Sequence, residues 1–204
     1  MPISFDPHIR SFHLSGTSFS YCLKVLDDQT LVNLHWGARL PDAKLDYLLD
    51  SYWEGASFDK LIGRLPLEVP TRGTGYYGLP AVGALNAQGD DVVSLCYEGY
   101  EIRAGKPALS GLPASYVESE SEATTLLIRL KDSLTGLRVT LSYSVFERLD
   151  VLTRSMSLEN GGEAALSLTH MMCCSAPLYG NDYEMIHLKG AWARERSVQR
   201  APLS

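Results

Sequence analysis

Apolar and polar residues alternate one by one through much of this chain. Over residues 137–145, Leu137, Val139, Leu141, Tyr143 and Val145 are apolar or aromatic, while Arg138, Thr140, Ser142 and Ser144 between them are polar. A period of two sends successive side chains to opposite faces, so each such run reads as a half-buried β-strand. Phe19, Tyr21, Leu23 and Val25 repeat the pattern around Ser20, Cys22 and Lys24, and Leu126, Ile128 and Leu130 repeat it again. Leu152, Met156 and Leu158 make a further apolar face, which Arg154 interrupts; residues 164–175 and 183–189 are two more strand candidates. Turn residues punctuate these runs: Asp27-Asp28, Gln88-Gly89-Asp90 ahead of Val92, and Asn160-Gly161-Gly162-Glu163. Asp132-Ser133-Leu134-Thr135-Gly136 reads as a five-residue hairpin loop between two strongly alternating strands. Many strands joined by short loops predict an all-β, antiparallel sandwich, and the missing strand–helix alternation excludes a Rossmann-like sheet.

Two stretches depart from the period of two. Leu45, Leu48, Leu49 and Tyr52 fall on one helical face, with Pro41-Asp42 placed to open the turn, and predict one short helix packed on the sandwich as a connector. From about residue 53 to 81 neither period holds. This stretch carries Trp53, Phe58, Tyr76, Tyr77 and the run Gly73-Thr74-Gly75. Long irregular segments in compact domains are often functional, so it is the place to look for a binding role.

Composition changes this picture little. With 45% hydrophobic and 21% charged residues over 204 positions, the chain has enough apolar matter for one sizeable core. No run approaches the ~20 apolar residues that span a bilayer, and Met1-Pro2-Ile3-Ser4-Phe5-Asp6 has no basic or apolar leader character. Cytoplasmic residence and no membrane contact are the expectation. A net charge of -6 argues against nucleic acid, which attracts clustered Lys and Arg. The cluster Lys189, Arg194, Arg196 and Arg200 is short, broken by Glu195, and reads as a solvated or domain-facing strand.

A search for chemistry finds no catalytic constellation. There is no Gly-x-Ser-x-Gly elbow and no phosphate-binding loop, and Arg72-Gly73-Thr74-Gly75 leads into no helix. His8, His13, His35, His170 and His187 are scattered, as surface or hydrogen-bonded histidines usually are. Cys22, Cys96, Cys173 and Cys174 lack zinc-ligand spacing, and Cys173-Cys174 on a strand would face opposite ways, so neither metal nor cofactor is expected. A glycosidase needs two carboxylates held apart at a set distance. Asp27-Asp28, Asp90-Asp91 and the Glu118, Glu120, Glu122 run all read as solvated.

Particular strings nevertheless resemble a known family. Leu67-Glu68-Val69-Pro70-Thr71-Arg72-Gly73-Thr74-Gly75 is similar to the "LPxEYPxYGTGDFR" signature near the front of glycoside hydrolase family 36 α-galactosidases. Residues 105–117, Gly105-Lys106-Pro107 through Ala114-Ser115-Tyr116-Val117, look like that family's "GKPxLxGLPATY", and His187-Leu188-Lys189-Gly190-Ala191-Trp192 opens a match to "HLSGxWxRER". Thr135–Tyr143 and Asp150–Ser155 match strands that lie between, and the ordered set runs from about residue 12 to the end. Gly75-Tyr76-Tyr77-Gly78 departs from the family's Gly-Asp-Phe-Arg.

The resemblance implies that residues 1–204 are an N-terminal β-supersandwich, ahead of a catalytic barrel that is absent from this chain. In that family two barrel aspartates cleave terminal α-D-galactosyl groups from melibiose and raffinose-type sugars with retention and without a metal, so this segment alone is expected to be inactive. It also implies α-galactoside sugars as the ligands of the full enzyme, and a homo-oligomer, commonly a tetramer, whose N-terminal loops close a neighbouring subunit's site. On that analogy Trp53, Phe58 and Asp59 are candidate substrate-binding residues across a subunit boundary, with anchoring of the loop on the sandwich as the other reading of the aromatics. The competing functional class is a free-standing carbohydrate-binding sandwich without hydrolase activity.

Overall fold

The structure is a computed structural model that describes residues 1–41, 45–52, 65–111, 114–176 and 182–203. Two four-stranded antiparallel sheets form the body. The first runs β1 (Ile3–Asp6), β2 (Ser11–Ser15), β3 (Phe19–Val25), β4 (Leu31–Ala38) in spatial order. After β5 (Val82–Leu85), the second runs β6 (Leu95–Ala104), β7 (Thr124–Asp132), β8 (Leu137–Phe146), β9 (Val151–Asn160). β5 pairs with β10 (Ser167–Met171), and β11 (Glu184–Lys189) pairs with β12 (Ser197–Pro202) as a separate hairpin. The predicted all-β antiparallel architecture is what the chain adopts.

The alternating runs place the core where a period of two puts it. Phe12, Leu14, Tyr21, Leu23 and Val25 from the first sheet meet Leu126, Ile128, Leu130, Val139, Leu141, Tyr143 and Val145 from the second. Each large apolar side chain sealed here contributes about 1.5–3 kcal/mol relative to leaving it in water. The other face of the first sheet carries a smaller cluster, Cys22, Val32, Leu34, Leu45 and Leu67. Above it lies the predicted connector, which is a 3-10 helix, Asp46–Tyr52. Leu48 N donates to Leu45 O at 3.0 Å, the tight turn that short helical runs favour over a full α-turn. Leu48 and Leu49 of the expected face pack on the small cluster, and the side chain of Tyr52 lies outside the described residues.

The turns explain the register. Asp132 accepts from Leu134 N, Thr135 N and Thr135 Oγ1, so the β7–β8 loop is built around one carboxylate. Gly136 closes it at φ 79°, and a Cβ there would come within 2.7 Å of Gly162 N, where the β9–β10 turn folds against it. At the opposite end Asp150, itself left-handed at φ 57°, accepts from Ser18 N at 3.1 Å and from the Ser18 hydroxyl, tying the β2–β3 turn to the start of β9. Phe5, Phe12, Tyr97 and Tyr100 stack along the β1–β6 side.

One sequence expectation shifts. Strand β10 ends at Met171, so Cys173 and Cys174 sit beyond it and are both exposed rather than split between two faces. The β11–β12 hairpin exposes Met185, Ile186, Leu188 and Val198, and Trp192 in its turn is 96% exposed. A two-stranded hairpin alone is marginal in water, so these side chains form a surface suited to burial against another body.

Candidate functional site: a carboxylate sealed between the sheets

Trp53, Phe58 and Asp59 lie outside the described residues. The irregular stretch is described again from Leu65, and its first residues are not a surface loop. Asn33 N donates to Pro66 O at 2.8 Å and Glu68 N donates to Leu31 O at 3.1 Å, with Leu67 bridging antiparallel to Val32. Residues 66–68 therefore extend the edge of β4, and alternation turns Leu67 to the small cluster and Glu68 towards the gap between the sheets. Thr71 Oγ1 donates to Val93 O at 2.6 Å, Ala81 N donates to Pro70 O at 2.7 Å, and Arg72 pairs with Asp91 at 2.9 Å. Gly73 turns the chain at φ 93°, where Val92 Cγ1 would lie 2.4 Å from any Cβ. Arg72 and Gly73 thus shape a turn.

Glu68 is fully buried. Tyr21 Oη donates to its carboxylate at 2.8 Å, Tyr143 Oη donates at 2.6 Å, and Asn33 Nδ2 donates at 3.2 Å. Arg154 Nη1 stands 2.9 Å from Oε1, and Arg154 Nη2 donates to the Glu68 backbone carbonyl at 3.3 Å. The guanidinium carbon lies 5.4 Å above the centre of the Tyr143 ring, and Trp36 stacks edge-on to Tyr21 at 5.7 Å. This is why Arg154 interrupts an apolar strand face: its partner arrives from another part of the chain. Strands β3 and β4 supply donors from one sheet, β8 and β9 from the other.

Each tyrosine is held well above its ordinary pKa, first by burial and then by the negative charge of Glu68. Both hydroxyls therefore remain donors. A pKa raised in the folded state contributes stability that is complete below the unfolded value, roughly pH 10, and is lost as pH rises beyond it. In an alkaline ultraviolet titration, the phenolate signal that Tyr21→Phe or Tyr143→Phe removes is expected to appear only together with loss of the β-sheet circular dichroism. Ionisation of those two residues while the sheet signal persists would contradict the buried network.

A carboxylate enclosed by such donors has no open face to a ligand, so its role is to hold structure. Among the described residues the other buried acid is Asp132, whose oxygens are taken by the β7–β8 loop. The paired, separated carboxylates of glycoside hydrolysis are not assembled by these two. Sequence reasoning passed over Glu68 because it looked for acids in clusters. The signal available was the unexplained Arg154 on an inward face.

The sequence profile of the glycosyl hydrolase family 36 N-terminal domain matches residues 29–204. This chain belongs to that family. It is 36% identical, over its full length, to α-galactosidase AgaA of Geobacillus stearothermophilus, covering 29% of that protein. The crystal structure of the family 36 α-galactosidase AgaB of the same organism superposes with a TM-score of 0.89 at 36% identity, over 100% of this chain and 29% of that one. A variant of AgaA solved in complex with raffinose gives 0.85 at 35% identity, over 95% and 28%. The chain thus spans under a third of the length of the family 36 enzymes it matches, and lies at their N-terminal part.

Proposed function

We propose that residues 1–204 are the non-catalytic N-terminal domain of an α-galactosidase that hydrolyses terminal α-D-galactosyl residues of melibiose and raffinose-type sugars. The observation that carries this is full-length similarity to the N-terminal 29% of proteins described as α-galactosidases. The exposed apolar hairpin β11–β12 supports it, because a barrel carried by the same polypeptide would bury Ile186, Leu188, Val198 and Trp192. In this reading the domain supports the barrel and oligomer assembly, commonly a tetramer. The stretch from 53 to 81 forms part of a neighbouring subunit's active-site wall, with Trp53, Phe58 and Asp59 facing the sugar. Aromatic rings stack on the apolar face of a pyranose, and a carboxylate accepts from its hydroxyls. The enzyme works in the cytoplasm and without a cofactor.

The test is a pair of assays with p-nitrophenyl α-galactoside. The purified chain of residues 1–204 is expected to show no turnover, and the complete protein that carries this domain is expected to hydrolyse the substrate. Clear turnover by the chain alone would overturn the non-catalytic reading. A complete protein that binds raffinose without hydrolysing it would favour the free-standing carbohydrate-binding sandwich instead.

A further inference from the structure

We propose that the cavity between the outer face of β8–β9 and the 105–117 loop is a second, non-catalytic sugar site, built for one hexopyranose unit. The site is independent of residues 53–81 and of hydrolysis by the complete protein. Residues 105–117 carry part of the family resemblance, yet none of their described side chains belongs to either core cluster. The root of this loop is fixed. Gly105 turns at φ 74°, its N–H donates to Ala123 O at 2.8 Å, and its carbonyl accepts from Thr125 Oγ1 at 2.6 Å. Beyond that root the loop lies over the face of the second sheet that points away from the core. Ser142 and Ser144 stand on this face, on either side of core-facing Tyr143, and the β8–β9 register sets Ser155 beside Ser142 and Thr153 beside Ser144. These four hydroxyls floor a cavity of about 190 Å³. That is well above the ~30 Å³ of one liquid water, and a void so polar does not stay empty.

The count of hydroxyl protons on the floor selects the ligand. Thr125 has a single hydroxyl hydrogen, and Gly105 O takes it, so Ser144 donates to Thr125 across their 2.7 Å contact. Ser144, which is buried, therefore has no hydrogen left and borders the cavity as an acceptor. Ser142, Thr153 and Ser155 both donate and accept. Lys106 adds donors at the rim, its ammonium 3.5 Å from Pro107 O, and the described lining contains no carboxylate. Arg154 borders the cavity from its strand, but its guanidinium serves Glu68 on the other face and adds no second cation here. A phosphate needs donors on every side, and it meets one ammonium and the lone pairs of Ser144. A pyranose offers hydroxyls that donate and accept along its rim, and a C–H face that is apolar. The hydroxyl floor matches the rim, and Leu109 and Ala114 on the loop match the C–H face. A few placed polar groups beside apolar surface is the usual make-up of a small-molecule site.

The experiment follows amide hydrogen exchange in the complete protein as D-galactose is titrated in. Protection is expected to grow at 105–109, 142–144 and 153–155 with a Kd on the order of 1–10 mM, which about twelve heavy atoms give at ordinary ligand efficiency. Galactose held by a barrel would protect other peptides, so the two sites read separately. Lys106→Met removes the ammonium, and Ser142→Val/Ser155→Val lays methyl groups over the floor with residues that favour strands. Each is expected to weaken the protection about tenfold, with kcat/KM for p-nitrophenyl α-galactoside within about twofold. If the double valine variant fails to fold, Lys106→Met, which lies on the loop, carries the test by itself. No protection of these segments at about ten times the expected Kd overturns the proposal. Protection by inorganic phosphate but not by galactose makes the cavity an anion site and overturns it too, and so does protection that survives the substitutions. The readout needs no turnover, so its failure leaves the hydrolase reading untouched, and loss of that reading leaves this site standing.

Discussion

Replacing Arg154 by methionine alone is expected to destabilise the domain by about 3–5 kcal/mol, because it leaves a buried carboxylate without its counter-ion. Glu68 is completely sealed and the Arg154 side chain only 10% exposed, so solvent offers the orphaned charge little screening. The tyrosines and Asn33 still donate to it, which limits the loss without cancelling it. Adding Glu68→Gln to Arg154→Met is expected to recover most of the loss, since the buried charge is then gone and the hydroxyls keep an acceptor. Urea denaturation followed by circular dichroism, on the wild type, both singles and the double, gives the cycle directly. A single Arg154→Met variant within about 0.5 kcal/mol of wild type would mean that the ion pair contributes nothing the hydroxyls do not already supply.

The second large effect is a cavity. Leu141 lies in an inner strand of the second sheet, fully buried, opposite Ile128 on one side and Met156 on the other. Leu141→Ala is expected to cost about 2–5 kcal/mol, combining lost transfer energy with a void that strands paired on both sides close only in part. Leu134, in the β7–β8 loop, is 75% exposed, and the same truncation there is expected to stay within about 0.5 kcal/mol. Comparable losses at the two positions would mean that Leu134 is covered in solution or that the sheets do not pack as described.

These expectations show how differently the parts of this protein are written in its sequence. The strands Phe19–Val25, Thr124–Asp132 and Leu137–Phe146 could be read from the chain alone, because a two-residue period leaves one way to bury an apolar face. The β7–β8 hairpin was equally plain, since Asp132 and Gly136 do locally what their chemistry favours. Family membership followed from short strings in fixed order, which needs no knowledge of contacts. The position of Cys173 and Cys174 is not legible in the sequence, because no local pattern marks where β10 stops. Met172 N is instead committed to Ala81 O, a partner far back in the chain.

The Glu68 site was legible only as an anomaly. In Leu67-Glu68-Val69 nothing separates a sealed carboxylate from a solvated one, and Arg154 looked like a fault in a strand. Its donors stand 47 residues before it at Tyr21, 35 before at Asn33 and 75 after at Tyr143. Alternation, turn residues and composition are short-range signals, and they determined the β-class and the principal core strands. Which acid would be buried, and against what, was decided by the packing of two sheets. A charge can be sealed only where donors from several strands converge, and convergence is a property of the folded chain rather than of any stretch of it.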